Sequence, residues 1–227
     1  MPTYSRPRLA VWIGLYVLWT LILRQPAVLA LAPGRLPLAS PDVVELGLRF
    51  PFAPGMPWRI TNGWDAHARY ADLNHDGRRG DWNSNALDFV PANGMSCEGQ
   101  PILAVAPGRI HRHDQDAYGA ERLVIEHAND LYSMYVHLQY GSVRLPVGAP
   151  VNYGTVIGSC GQTGQATGAH LHFQLYRGPT WDRDDGIVPL PIDGITRREQ
   201  LKSHHGGFYS SNRPAAACPV ECAPGSQ

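Results

Sequence analysis

From residue 58 onward the chain is a succession of short apolar or alternating runs cut by turn residues. The runs fall at 86–90, 101–105, 108–111, 122–127, 131–138, 150–151, 156–158 and 170–176. Gly119-Ala120, Asn129-Asp130 and Pro146-Val147-Gly148 separate several of them. Strand-length runs at this spacing, with few long helical periods between them, restrict the chain to an all-β fold. We expect an antiparallel two-sheet sandwich or barrel-like core with long loops and an irregular C-terminal tail. The 24 glycines and 20 prolines in 227 residues favour the same strand-and-turn reading.

Four regions are expected. Residues 1–32 carry Arg6 and Arg8, then an apolar run over 9–23 interrupted by Arg24, with small residues at Ala27, Ala30 and Ala32. That run is short for a membrane span, which needs about 20 residues, and suits a signal-peptide core or an uncleaved N-terminal anchor. Either one exports the remainder, as a secreted, periplasmic or membrane-anchored domain outside the cytoplasm. Residues 33–57 are rich in proline and leucine and read as an extended lead-in. Residues 58–177 form the core, and 178–227 a C-terminal wrapping tail. Zero formal net charge gives no electrostatic reason to expect nucleic acid as a partner. Oligomeric state is not legible.

The four cysteines suit an oxidising compartment. Cys97 precedes one strand run and Cys160 sits in a glycine-rich loop, and we expect the two to be joined. Cys218 and Cys222 form a C-x3-C pair in the tail, read as a local disulfide rather than a metal site.

Chemistry concentrates in the stretch 161–173, where a glycine-rich loop leads into His170-Leu171-His172-Phe173. Alternate side chains of a strand share a face, so His170 and His172 point one way and Leu171 and Phe173 the other. Asp88 lies inside an apolar run, where an unpaired carboxylate would be costly to bury. Around His137, strict alternation puts Tyr135 and His137 on one face, opposite Val136 and Leu138. Two histidine elements and a buried acid together suit a hydrolytic zinc site, in which three protein ligands leave one position for water. There is no H-E-x-x-H sequence to supply a glutamate base of that type.

The run Gly164-Gln165-Ala166-Thr167-Gly168-Ala169-His170-Leu171-His172-Phe173 resembles the hallmark of the lysostaphin-type and beta-lytic zinc metallopeptidases, which cut peptides in bacterial cell walls. Tyr135-Val136-His137-Leu138 resembles that family's second histidine motif. Segments 101–110, 147–151 and 156–158 resemble its intervening strands, in the right order. The resemblance spans about residues 58–176. It implies that Asp88 and His172 bind zinc, that His137 and His170 flank the water, and that the substrate is a peptide cross-link of peptidoglycan. The lysostaphin branch places its first histidine ligand four residues before the aspartate, where this chain has Ser84. The beta-lytic branch places it farther upstream, which makes His75 the preferred third metal ligand and His67 the alternative.

Two competing readings follow. A site short of one ligand would be a catalytically inactive member that binds the wall or regulates other wall hydrolases. Asp72-Leu73-Asn74-His75-Asp76-Gly77 also resembles the opening of a calcium loop, but its twelfth position is Asn83 rather than a bidentate carboxylate.

Overall fold

The computed structural model describes residues 41–67, 85–178, 186–187 and 189–212. Eleven strands are named among these residues: β1 (Trp58–Asn62), β2 (Leu87–Pro91), β3 (Pro101–Leu103), β4 (Gly108–Gln115), β5 (Glu121–Glu126), β6 (Leu131–Leu138), β7 (Pro150–Val151), β8 (Val156–Ser159), β9 (Leu171–Arg177), β10 (Gly186–Ile187) and β11 (Gly206–Phe208). Nine of them form one sheet, in the order β11-β1-β2-β9-β6-β5-β4-β7 with β10 beside β9. The other two, β3 and β8, pair as a small second sheet. Every strand pair is antiparallel. The expected all-β, two-sheet architecture is what the chain adopts.

Alternation decides what lies between the sheets. Leu87 and Phe89 of β2, Tyr135 and Leu138 of β6, and Leu171, Phe173 and Leu175 of β9 join one buried cluster. Ile102 of β3 and Ile157 of β8 belong to the same cluster, so the small sheet packs on that face of the large one. The opposite face carries a smaller cluster of Val124, Tyr132, Met134, Val136 and Tyr176. It is this second face that bears the polar chemistry.

The described part of the proline- and leucine-rich lead-in, residues 41–57, is part of the core rather than a spacer. It forms a short helix α1 (Pro41–Leu46) and then sends Leu48, Phe50 and Phe52 into the main cluster. Phe52 stacks on Trp58 with ring centroids 4.6 Å apart, and Phe50 meets Phe89 edge-on at 5.9 Å. Each such buried aromatic contributes about 1.5–3 kcal/mol by removal from water, which is why a segment without strand periodicity still packs. The tail likewise adds structure: β11 extends the sheet beyond β1, and Leu190, Ile192 and Leu201 are buried.

Cys97 and Cys160 are joined, as expected. The bridge is reinforced by Gly99 N donating to Cys160 O at 2.8 Å and Cys160 N donating to Gln100 O at 2.8 Å. It pins the start of the glycine-rich loop to the 97–100 turn. Among the described residues no helix is long and apolar enough to cross a membrane. The signal or anchor segment 1–32, the calcium-like loop 72–83, Ser84, and Cys218 and Cys222 lie outside the described residues.

Candidate metal centre and its flanking histidines

Strand register builds the centre. Asp88 of β2 is the direct cross-strand partner of His172 of β9, which is in turn opposite Val136 of β6. The row continues through Arg122 and Asp114 on one side and Asn62 on the other. Neighbouring strands sit about 4.8 Å apart, so such a row lines up side chains on one face at regular spacing. At its centre Asp88 Oδ1 and His172 Nδ1 are 2.9 Å apart, with the two residues only 4% and 1% exposed. Asn62 Nδ2 donates to the other carboxylate oxygen, Asp88 Oδ2, at 3.0 Å.

The expected face of the His-x-His pair holds. Leu171 and Phe173 enter the main core, while His172 turns to the opposite face with Asp88. His170 precedes β9 and pairs with Gly161 in an isolated bridge; its Nε2 lies 3.8 Å from Asp88 Oδ2, and its side chain is 17% exposed.

The expected face of His137 does not hold as drawn. Simple alternation paired it with Tyr135, but Tyr135 is in the core, hydrogen-bonded through its hydroxyl to Val105 N. The pairing register shifts here: Arg122 faces Val136 and Glu121 faces Leu138, leaving His137 as an extra residue in β6. His137 has φ of 65°, in the left-handed region. An extra residue of this kind is a β-bulge, which re-aims a side chain. The bulge turns His137 onto the His172 face, with ring centroids 4.6 Å from His170 and 6.1 Å from His172. All four residues therefore meet, although the reason given by alternation for His137 was incorrect.

One loop orients both flanking imidazoles. His137 Nδ1 lies 2.8 Å from Thr163 O, and His170 Nδ1 lies 2.8 Å from Gly168 O. A carbonyl oxygen only accepts, so each Nδ1 carries the proton and each neutral ring has its lone pair on Nε2. The loop reaches both rings because its glycines allow close approach. A Cβ at Gly161 would stand 2.7 Å from Gln139 N, and one at Gly164 (φ 72°) would stand 2.4 Å from Ala120 Cβ.

Asp88 and His172 fit a shared metal. Two donors each about 2.0–2.1 Å from one Zn2+ stand roughly 3 Å apart, close to the separation seen. A buried carboxylate and a buried imidazole are also ordinary zinc donors. Among the described residues no three His, Cys, Asp or Glu side chains form a complete metal-holding group. His75 lies outside the described residues, and His67 is the last residue of α2 (Trp64–His67). Asn62 and Thr163 were not anticipated as site residues. Neither has a sequence signal of its own, because each acts only through a partner distant in the chain.

Residues 90–183 match Peptidase family M23. The chain carries an M23 peptidase domain. M23 peptidases are zinc-dependent. The chain resembles the Peptidoglycan DD-endopeptidase ShyC of Vibrio cholerae, at 34% identity over 77 residues that cover 34% of this chain and 17% of that protein. It also resembles the Glycyl-glycine endopeptidase ALE-1 of Staphylococcus capitis, at 36% identity over 118 residues covering 50% of this chain and 32% of that one. The chain thus spans less than two thirds of the length of these relatives. Among solved structures, a zinc-containing peptidase from Vibrio cholerae aligns with this chain at a TM-score of 0.45 and 24% identity, covering 65% of this chain and 40% of that one.

Proposed function

We propose that this protein is a zinc-dependent endopeptidase that hydrolyses peptide bonds in the cross-link peptides of peptidoglycan, outside the cytoplasm. The observation that carries this reading is the Asp88–His172 pair, 2.9 Å apart and buried, with two further imidazoles at its edge. The relatives named as peptidoglycan and glycyl-glycine endopeptidases support the substrate class. Asp88 and His172 are two of the ligands, and His75 is the third, with His67 the alternative.

Zinc held there supplies Lewis acidity, polarising a peptide carbonyl and bringing the pKa of a water down to roughly 7. The protein supplies proton handling and orientation. His137 and His170 present Nε2 lone pairs, so either ring accepts a proton from the attacking water. Once protonated, the same nitrogen donates to the developing oxyanion or to the leaving amine. The rings are 4.6 Å apart, close enough for both to serve one reacting centre. Asp88 keeps its geometry because Asn62 holds its second oxygen.

The test is metal analysis of the purified full chain together with digestion of isolated cross-linked muropeptides, followed by mass spectrometry. One equivalent of zinc and new amino termini within the stem or bridge peptides are expected. Absence of both would overturn the reading and leave the inactive, regulatory alternative.

A further inference from the structure

The Thr163 hydroxyl stands where the glycine-rich loop, β5 and β6 meet. Its Oγ1 donates to Leu138 O at 2.8 Å and accepts from Glu121 N at 2.9 Å. Leu138 directly follows His137, and Glu121 is the cross-strand partner of Leu138 on the far side of the bulge. The same residue's carbonyl receives His137 Nδ1 at 2.8 Å. One threonine therefore bonds both strands that flank the bulge and also the imidazole that the bulge displays.

The surroundings keep this junction in place. Glu121 is 5% exposed, and its carboxylate lies 2.6 Å from His113 Nε2 and 3.4 Å from Gln115 Nε2. On the other side, Gly164 lies against Ala120 so closely that any Cβ would collide with it. Within the loop, Thr163 is the residue whose side chain bonds the sheet at this point. Glu98 is farther along the same rim, where it meets Gln139 Nε2 at 2.8 Å.

We infer that Thr163 is a positioning residue: its hydroxyl locks the loop to the β5–β6 bulge so that its carbonyl fixes the Nδ1–H tautomer of His137. The inference rests on the peptidase reading for its kinetic consequence, but its structural content stands apart from zinc. His137 sits in a left-handed conformation, which a non-glycine residue adopts only at a cost. Its ring, displayed by that bulge, meets the Thr163 carbonyl through Nδ1. Without the hydroxyl, Leu138 O and Glu121 N each lose a partner, and the loop carbonyl is no longer tied to the strands it must face. A ring that exchanges tautomers presents its lone pair to the substrate only part of the time. A misplacement of about 1 Å in such a group costs on the order of 100-fold in rate.

The experiment compares wild type, Thr163→Val and Thr163→Ser by 15N NMR of the histidine rings, zinc stoichiometry, and kcat and KM on cross-linked muropeptides. Wild type should show His137 protonated at Nδ1. Thr163→Val, of nearly equal shape but without the hydroxyl, should show mixed tautomers at His137. Its kcat should fall on the order of 100-fold, with KM and zinc content close to wild type. Thr163→Ser keeps the hydroxyl and should match wild type in all three readouts. A wild-type His137 protonated at Nε2 would overturn the inference even if Thr163→Val does not fold. So would a folded Thr163→Val with wild-type tautomer and kcat, or a Thr163→Ser as impaired as Thr163→Val. A wild-type protein that binds no zinc and cleaves no muropeptide would instead overturn the peptidase reading, with the tautomer result still standing.

Discussion

Asp88 Oδ1 lies 2.9 Å from His172 Nδ1 although 84 residues separate them in sequence. Strand register brings them together: β2 and β9 pair antiparallel with Asp88 opposite His172, and Leu87 and Phe89 opposite Phe173 and Leu171. The core-facing residues hold that register, since a slip of β2 by one residue would turn Asp88 into the apolar core and Leu87 and Phe89 out of it. Packing on one face of the sheet thus fixes the chemistry on the other.

The four side chains gathered on that face fall into two mutant classes. Asp88→Ala and His172→Ala should each lose stoichiometric zinc and activity together. His137→Ala and His170→Ala should retain zinc and lose activity by about 10²–10⁴-fold, the usual worth of a proton-transfer group. Metal analysis beside a muropeptide assay distinguishes the classes. Full turnover in His170→Ala would show that the roles are assigned wrongly.

Much of this is legible in the sequence. The His170-Leu171-His172-Phe173 alternation gave the correct faces because β9 is regular and buried on both sides. Asp88 stood out as an acid within an apolar run, and Cys97 and Cys160 were the pair flanking the core strands. His137 was found for a flawed reason: a bulge at a non-glycine residue leaves no compositional mark, and alternation assigned Tyr135 to its face. The strand β11 went unseen because Gly206 and Gly207 have no side chains to alternate. Phe50 and Phe52 fall in the expected lead-in because prolines interrupt any period there, yet their rings complete the aromatic cluster around Trp58 and Phe89.

Asn62 should set metal affinity. Its amide is the donor to Asp88 Oδ2, and partners that orient a metal ligand are typically worth 10–100-fold in affinity. Asn62→Leu should weaken zinc binding by about that factor, measured by competition with a chromophoric chelator. An unchanged zinc affinity would mean that the Asn62 amide does not orient the carboxylate.

The Cys97–Cys160 bridge closes a chain segment of 63 residues. On the chain-entropy account a loop of that length contributes about 4 kcal/mol by constraining the unfolded state. The paired Cys97→Ser and Cys160→Ser variant should lower the denaturant midpoint correspondingly. Because Cys160 also anchors the glycine-rich loop, activity at temperatures well below unfolding should fall as well.

Acid should destabilise the fold through His127. This ring is 6% exposed, with Nδ1 2.7 Å from Pro107 O and Nε2 2.7 Å from Ser133 Oγ. Ser133 Oγ is in turn 3.1 Å from the Tyr135 hydroxyl in the core. Burial pushes the His127 pKa down from 6.5 to about 4, with the Pro107 carbonyl opposing it. The unfolded chain therefore binds more protons than the folded one between these values, so stability rises with pH across that window. The contribution is complete above about 6.5 and declines as pH falls. The loss levels off below about 4, at a total of about 3 kcal/mol. His127→Gln removes the titrating group, so its unfolding free energy should vary less steeply with pH between about 4 and 6.5 than that of wild type. Taking the difference between the two proteins at each pH cancels zinc release and the titration of every other group. A wild-type profile parallel to that of the variant would mean that His127 titrates alike in the folded and unfolded chain, and that burial does not hold it neutral.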